Sequence, residues 1–139
     1  MADTMHATAV SVSGAGVLLV GRPGSGKSDL AFRLIDRGAL LIADDRVLLS
    51  AEGGRLILSA PPAIAGLLEV RGVGLQRMAH ANRVNAAALF DLEAVPDRLP
   101  EPATRSICGI NLPIFALSPF EASAPLKLEL TVAVLLQRR

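Results

Sequence analysis

Residues 21 to 28 read Gly21-Arg22-Pro23-Gly24-Ser25-Gly26-Lys27-Ser28, a glycine-rich loop of the kind that wraps its backbone around phosphate groups. An apolar run precedes the loop, Val17 to Val20, and is typical of a short buried strand. After the loop, the apolar residues recur with helical spacing and fall on one face: Leu30, Ala31, Leu34 and Ile35. The order of strand, loop and helix predicts an α/β fold built around a phosphate-binding loop (P-loop).

Each residue type in this loop has a physical reason to contact a nucleoside triphosphate such as ATP. The glycines let the backbone turn so that its N–H groups point inward, and the start of the following helix adds partial positive charge. Lys27 is placed to reach the terminal phosphates, and the Ser28 hydroxyl is placed to bind Mg²⁺. The sequence therefore predicts that residues 21–28 form a nucleotide site; the alternative is a glycine-rich turn without a ligand.

Length and composition narrow the class of protein. The 139 residues are sufficient for one domain, residues 1–139, with a real hydrophobic core. Apolar residues make up 51% of the chain but only four are aromatic, so the core is expected to be aliphatic. The formal net charge is +1 with scattered basic residues, which argues against a nucleic-acid partner.

The chain also lacks the sequence signs of a membrane or secreted protein. Its single cysteine, Cys108, excludes an internal disulfide and a cysteine metal cluster, and it is expected to be a small buried residue. No apolar stretch reaches the roughly 18 residues that a membrane-spanning helix needs. The first residues, Met1 to His6, have no signal-peptide pattern. We therefore expect a cytoplasmic protein with no membrane partner.

Hydrophobic periodicity and turn residues predict the remaining elements. The P-loop helix should end near Arg37, with Gly38 as its cap. A polar connection is expected over Glu93 to Pro102. A terminal helix is expected over Leu126 to Leu136, with Leu128, Val132, Leu135 and Leu136 on its apolar side. The predicted strands or strand-rich runs are 7–13, 17–20, 39–43, 46–50, 55–59, 84–92 and 107–116.

An acidic pair, Asp44 and Asp45, follows the predicted strand 39–43 directly. Because side chains alternate along a strand, the two carboxylates should point in opposite directions. One can face a bound phosphate, where a carboxylate polarises an attacking hydroxyl or holds a metal. The pattern alone does not say which of the two does so.

Two further titratable residues stand out. Glu69 is an isolated charge in an apolar run, and burying an unpaired carboxylate is costly, so it is expected to pair with Arg71 or with Mg²⁺. His6 lies one strand upstream of the P-loop, where a lone histidine is most often incidental.

These segments together resemble the catalytic domain of HPr kinase/phosphorylase. The resemblance is carried by His6, by the loop 21–28, by Leu41-Ile42-Ala43-Asp44-Asp45-Arg46-Val47, and by Leu68-Glu69-Val70-Arg71-Gly72-Val73-Gly74, over about two-thirds of the chain. It implies a P-loop domain similar to phosphoenolpyruvate carboxykinase, with a mixed sheet. It also implies use of ATP and Mg²⁺ to phosphorylate a serine of HPr, the phosphocarrier of the sugar phosphotransferase system. Many members reverse this reaction with inorganic phosphate, and members are typically hexamers.

The resemblance assigns roles to particular residues. Lys27 and the rest of the loop would bind the triphosphate, and Ser28 and Glu69 would hold Mg²⁺. Asp45 would take the proton from the seryl hydroxyl and return it in the reverse reaction. His6 matches an active-site histidine, and Arg98, within Asp97-Arg98-Leu99, matches a catalytic arginine.

Three features depart from the long members of the family. The chain resembles the short proteobacterial forms without the N-terminal domain. Arg22-Pro23 replaces an acidic-small pair in the loop. The segment Pro113 to Glu121 lacks the Gly-Arg of a C-terminal motif associated with dephosphorylation, which predicts weak or absent phosphorolysis.

The sequence therefore predicts a serine kinase that acts on HPr or on a nitrogen-branch paralogue of it, and a homo-oligomer, by resemblance a hexamer. Two alternatives stay open at this point. One is a P-loop kinase for a small molecule. The other is a non-catalytic, ATP-responsive binding module.

Overall fold

A computed structural model describes residues 2–137 of the chain as eleven strands, two α-helices and one 3-10 turn. The elements, in chain order, are β1 (Ala2–Met5), β2 (Thr8–Val12), β3 (Ala15–Val20), α1 (Lys27–Asp36), β4 (Leu40–Ala43), β5 (Val47–Glu52), β6 (Arg55–Ser59), the 3-10 turn (Pro62–Ile64), β7 (Leu67–Val70), β8 (Gly74–Arg77), β9 (Val84–Asp91), β10 (Thr104–Ile107), β11 (Ile110–Ala116) and α2 (Ala124–Gln137).

Nine of the strands form one mixed sheet, and β7 and β8 form a separate hairpin. The main path of the sheet runs β1-β5-β6-β9-β3-β2-β4. β9 is its branch point: its start pairs with β6, its end pairs with β11, and its other side pairs with β3. The β3–β9 and β9–β11 pairs are parallel, and the other pairs of named strands are antiparallel. The fold is thus mixed α/β.

Both faces of the central strands are buried, which explains their continuous apolar sequence. In β3, Val17 and Leu19 belong to the core under the two helices, whereas Leu18 belongs to the core on the opposite face, beneath β5, β6 and the β10–β11 hairpin. A strand buried on both sides gains stability from every residue rather than from alternate ones. The core is aliphatic as predicted, with Phe90 as the aromatic residue among its fully buried large side chains.

Helix α1 packs on β2 and β7 through Leu30, Ala31 and Leu34, the face that the sequence predicts. It ends where expected. The N–H of Gly38 donates to the Ile35 carbonyl at 3.0 Å, and Gly38 has a φ of 110°, a left-handed conformation that favours glycine. Helix α2 buries Leu128 and Val132, also as predicted. Within residues 2–137, neither helix is long and apolar enough to span a membrane.

Several expectations need correction. The strand predicted over residues 7–13 is shorter, Thr8–Val12, and β1 is a further edge strand paired with β5. The two strands of the β7–β8 hairpin are absent from the predicted set. The run 107–116 is split, because Cys108 and Gly109 both have positive φ and form the tight turn between β10 and β11. Cys108 is consequently exposed rather than buried.

The pairing directions place four loops at one edge of the sheet. Val20, Asp91 and Ala116 are register neighbours at the carboxyl ends of the parallel strands β3, β9 and β11. β4 runs antiparallel to β2, which is antiparallel to β3, so β4 also ends at this edge. Ligands of open α/β sheets bind outside the carboxyl ends of such strands.

Candidate active site

The glycine-rich loop (residues 21–28) leaves β3 and enters α1 at Lys27. Gly24 and Gly26 have φ values of 83° and 98°, which are strained for residues with a Cβ atom. They allow a compact turn in which the N–H of Ser25 donates to the Arg22 carbonyl at 3.0 Å. The predicted order of strand, loop and helix is therefore observed; that the loop binds phosphate stays a prediction.

Lys27 lies inside the curve of this loop although it carries an ammonium group. Its side chain is 7% exposed, and its Nζ donates to the carbonyl oxygens of Gly21, at 2.7 Å, and Arg22, at 3.1 Å. Carbonyl oxygens supply hydrogen bonds but no counter-charge. No carboxylate within residues 2–137 pairs with Lys27, and a buried cation of this kind is a favourable place for an anion.

The Ser25 hydroxyl is a further buried polar group of the loop. The hydroxyl oxygen of Ser25 is buried, and among the described residues it makes no hydrogen bond. Leaving a buried hydroxyl unsatisfied costs about 1–3 kcal/mol. This orphaned donor, together with the loop N–H groups and the Lys27 ammonium, fits the oxygens of a phosphate chain.

Asp44 is the centre of a buried hydrogen-bond network beside the loop. Its side chain receives hydrogen bonds from the hydroxyl of Thr8, at 3.0 Å, from the hydroxyl of Ser28, at 2.7 Å, and from the backbone N–H of Glu69, at 3.1 Å. Asp44 is 8% exposed, and Thr8 is fully buried. One carboxylate thus joins β2, α1, β4 and β7 at the point where they meet the loop.

Asp45 is the next residue, yet it lies in a different environment. Its φ of 70° is left-handed, a conformation that aspartate tolerates better than most residues, and its carboxylate is directed to solvent. Its Oδ1 atom is 3.4 Å from Nε2 of His6, and the side chains of Asp45 and His6 are 72% and 54% exposed. The structure therefore brings His6 and Asp45 together, one residue away from the Ser28–Asp44 bond.

Glu69 is only partly where its sequence environment suggests. Its backbone N–H donates to Asp44, but its own side chain is exposed on the β7–β8 hairpin, so the expectation that the charge is buried is wrong. That Glu69 binds Mg²⁺ stays a prediction. Among the described residues its carboxylate has no ion pair, with Arg71 or with any other cation.

Arg98 is exposed in the irregular connection between β9 and β10. Its guanidinium makes no hydrogen bond or ion pair to residues 2–137, so the structure does not join it to the loop. By contrast, Glu93 of the same connection contacts the loop directly. Its carboxylate accepts the backbone N–H of Arg22 at 2.7 Å and the Arg22 Nε at 2.5 Å.

The Glu93 contact affects the charge of the site. The Arg22 backbone N–H and then its side chain hold the pKa of the Glu93 carboxyl below its usual value, with a further contribution from the charge of Lys27. An ionised carboxylate therefore lies at the entrance of a loop that is otherwise cationic.

Three residues of this arrangement were not assigned by sequence reasoning: Thr8, Asp44 as a partner of Ser28, and Glu93. Thr8 and Asp44 are 36 residues apart, and Arg22 and Glu93 are 71 apart, so no local pattern joins them. The only usable signal was that the acidic pair follows a buried strand, so that one of its two carboxylates was expected to face the loop.

Oxygen atoms beside the loop fit a magnesium ion whose other ligands are phosphate oxygens. Among residues 2–137, no three His, Cys, Asp or Glu side chains cluster as a metal site made by protein alone. Mg²⁺, however, commonly takes one or two protein oxygens and completes its shell with phosphate and water. Ser28 and Asp44 supply such oxygens. Glu69, on β7, carries a further carboxylate on the residue whose backbone N–H donates to Asp44.

Comparison with known proteins places this geometry in a family. Residues 1–95 match the family model described as the HPr Serine kinase C-terminal domain. The HPr kinase/phosphorylase of Clostridium botulinum (strain Eklund 17B / Type B) is 48% identical over 71 residues, which are 51% of this chain and 23% of that protein. The protein of the same name from Brevibacillus brevis is 47% identical over 93 residues, 66% of this chain and 27% of that protein.

A solved structure has the same fold over nearly the whole chain. The Hpr(Ser) kinase/phosphatase from Coxiella burnetii has a TM-score of 0.84 and 29% sequence identity, with coverage of 95% of each chain. The two curated relatives are longer, and the matched region is about a quarter of their length. With a family model matching well over half of its residues and a fold shared with a solved relative, this chain belongs to the HPr serine kinase family and corresponds to its C-terminal domain.

Proposed function

We propose that this protein is an ATP- and Mg²⁺-dependent serine kinase whose substrate is HPr or a nitrogen-branch paralogue of it, and that it regulates the phosphotransferase system. The observation that carries the proposal is the hydrogen bond between Ser28 and Asp44. Since Asp44 is fixed to the loop, the exposed carboxylate of Asp45 is held beside the loop, open to a hydroxyl that arrives from solvent.

In this proposal the loop binds the triphosphate of ATP. The Lys27 ammonium exchanges its carbonyl partners for phosphate oxygens, and the Ser25 hydroxyl gains the partner that it lacks. When bound, Mg²⁺ neutralises charge on the phosphoryl oxygens; Ser28, Glu69 and Asp44 would hold it.

The transfer step uses the exposed half of the site. The carboxylate of Asp45 accepts the proton of the seryl hydroxyl as its oxygen forms a bond to the γ-phosphorus. The bond from that phosphorus to the bridging oxygen breaks, and ADP leaves with the electron pair. Phosphoryl transfer depends mainly on positioning and charge stabilisation, which Lys27 supplies here.

His6 and Arg98 have supporting roles in the proposal. His6, at 3.4 Å from Asp45, orients the carboxylate toward the substrate hydroxyl. Arg98 lies exposed without a partner among the described residues, so we assign it the task of neutralising phosphoryl charge when both substrates are bound.

The direct test is to incubate the protein with ATP, Mg²⁺ and the HPr-like proteins of the same genome, and to locate phosphoserine by mass spectrometry. HPr with alanine in place of its acceptor serine is the control. We expect phosphate on one serine of HPr. Transfer of labelled phosphate to a metabolite from a panel, and not to HPr, would instead indicate a small-molecule kinase. ATP binding with no transfer to any acceptor would indicate a binding module.

We further propose that phosphorolysis is weak or absent. Residues 113–121, which lack Gly-Arg, run from the middle of β11 into the loop whose Pro119 and Phe120 lie against Gly26, so the altered segment adjoins the proposed phosphate site. Phosphoseryl-HPr mixed with the protein and inorganic phosphate should release pyrophosphate slowly or not at all. Release as fast as the forward kinase rate would contradict this part of the proposal.

The oligomeric state is a separate proposal, a hexamer. The exposed apolar residues of α2 that recur four apart, Leu126, Leu130 and Val134, offer a face for contact between copies. Sedimentation velocity at several concentrations should give a single species of about six chains, whereas a concentration-independent monomer would contradict the proposal.

A further inference from the structure

A cleft of about 620 Å³ opens beside the glycine-rich loop. The loops that follow β3, β9 and β11 line it, contributing Ser25, Glu93, Val95, Pro119 and Phe120 among others. These are the three parallel strands that end in register at Val20, Asp91 and Ala116. Ligand pockets commonly have volumes of about 300–1,000 Å³, so this cleft is large enough for a small molecule.

Hydrogen bonds hold the walls of the cleft, beside the buried core residues Leu92 and Leu117. The guanidinium of Arg33 donates to the carbonyl oxygens of Pro119 and Glu121, which ties the loop after β11 to helix α1. The opposite wall is tied through Glu93 to Arg22. The cleft is therefore formed before any ligand arrives.

Two apolar side chains are nevertheless left open to solvent in these fixed walls. Phe120 is 70% exposed and Val95 is 87% exposed. The ring of Phe120 lies directly against the loop: it is so close that a Cβ atom added at Gly26 would be only 3.0 Å from it. A positioned aromatic ring with an uncovered face is the usual way in which proteins bind nucleic-acid bases.

The polar groups in the cleft complete the pattern. The buried Ser25 hydroxyl lacks a partner and belongs to both the loop and the cleft. Among the described residues, the backbone N–H groups of Ala94 and Val95 donate no hydrogen bond. A ligand with a phosphate chain in the loop and a flat aromatic group on Phe120 would satisfy both ends of the site.

We infer that this cleft is the nucleoside subsite of the protein and that Phe120 stacks on the base of the phosphoryl donor. The inference rests on the proposed function, since it takes a nucleotide as that donor. It assigns the phosphates to the glycine-rich loop and the base to the loops after β9 and β11.

The test compares a ligand that has a nucleoside with one that lacks it. Calorimetry at fixed Mg²⁺ should measure ATP and inorganic tripolyphosphate against the wild type, Phe120→Ala and Phe120→Leu. Phe32→Ala is the matched control, because Phe32 is an exposed phenylalanine on α1 that does not line the cleft. Phe120 is largely exposed, so removing its ring leaves no cavity in the core.

We expect Phe120→Ala to weaken ATP binding by about 5- to 100-fold, as stacking losses usually do, with tripolyphosphate unchanged. Phe120→Leu should weaken ATP binding less than Phe120→Ala does, and Phe32→Ala should bind both ligands as the wild type does. Equal affinity of the wild type for the two ligands, or equal losses for both in Phe120→Ala, would overturn the inference. If ATP shows the expected pattern but HPr is not phosphorylated, the proposed function fails and the nucleoside subsite stands.

Discussion

Asp44 and Asp45 are consecutive residues with the same side chain, and they differ in almost every physical respect. Asp44 is buried and accepts three hydrogen bonds from three different elements. Asp45 is 72% exposed and has a left-handed backbone, and its carboxylate lies 3.4 Å from the exposed side chain of His6. Both residues follow the end of β4, and the left-handed backbone of Asp45 turns its side chain to solvent whereas that of Asp44 stays buried.

The difference shows how the site divides its tasks. The buried half, built from the glycine-rich loop, Thr8 and Asp44, is held rigidly and suits an anion and a metal of fixed geometry. The exposed half, with His6, Asp45 and Glu69, has few internal contacts; in the proposed function it receives the protein substrate, and Arg98 joins it from the connection between β9 and β10. Substitutions in the buried half should therefore impair binding and stability, and those in the exposed half should impair transfer.

The largest effect is expected at Lys27. Lys27→Met should weaken tripolyphosphate binding by about 10- to 150-fold, because a charge-assisted hydrogen bond is lost. Transfer should fall further, since the same group stabilises the transition state. Calorimetry and a phosphoryl-transfer assay measure the two effects. Lys127→Met is the matched control, since Lys127 is an exposed lysine paired with Glu121, and it should leave both quantities unchanged.

Asparagine at the two acidic positions gives the most direct contrast in stability. Asp44→Asn should lower the free energy of unfolding by about 1–3 kcal/mol, because it leaves buried donors badly paired. Asp45→Asn should change it by less than about 0.5 kcal/mol, as surface substitutions usually do. Urea denaturation of both variants measures the difference. Equal values for the two would mean that the Asp44 network does not stabilise the fold.

A smaller effect is expected at Glu93, whose carboxylate contacts the glycine-rich loop through Arg22. Glu93→Gln removes a negative charge near Arg22 and Lys27 but keeps an oxygen that accepts the Arg22 N–H. Tripolyphosphate should bind about two- to fivefold more tightly at low salt, and the gain should shrink at high ionic strength. Weaker binding at low salt would instead indicate that the carboxylate positions the loop.

The smallest effect concerns stability at acid pH. The pKa values of Glu93 and Glu52 lie below their usual value, the first mainly through Arg22 and the second mainly through Arg83. A lowered pKa means that the folded protein prefers the ionised form of the carboxyl group. Each group therefore stabilises the fold above its unfolded pKa of 4.5. This stabilisation is lost as the pH falls through the pKa of the group in the folded protein. The thermal unfolding midpoints of Glu52→Gln and the wild type should differ slightly at pH 6–7 and converge as the pH falls below 4.5. A difference that grows toward low pH would contradict the sign.

The sequence allowed the framework to be predicted because local patterns determine it. The helix α1, its Gly38 cap and the β5–β6 hairpin follow from hydrophobic spacing and turn residues. The β7–β8 hairpin was missed because its strands, of four residues each, lie mostly outside the core and lack a buried pattern.

The site was harder to predict because its contacts are long-range. The sequence placed one carboxylate of the acidic pair near the loop, and the structure bonds Asp44 to Ser28; that Asp45 is the base came from the resemblance and stays a prediction. The bonds of Thr8 and Glu93 and the cleft at Phe120 join segments far apart in the chain. Glu69 was misjudged because an apolar sequence neighbourhood was taken to mean burial, whereas β7 belongs to a hairpin with an exposed face.

The division between a binding half and a transfer half is tested most directly by Asp45→Asn, with two measurements on the same sample: ATP affinity and the rate of phosphoryl transfer to HPr. If Asp45 is the base, transfer should fall by about 100- to 10,000-fold, and ATP affinity should stay within about twofold of the wild type. A parallel loss of ATP affinity, or a transfer rate close to that of the wild type, would contradict the account.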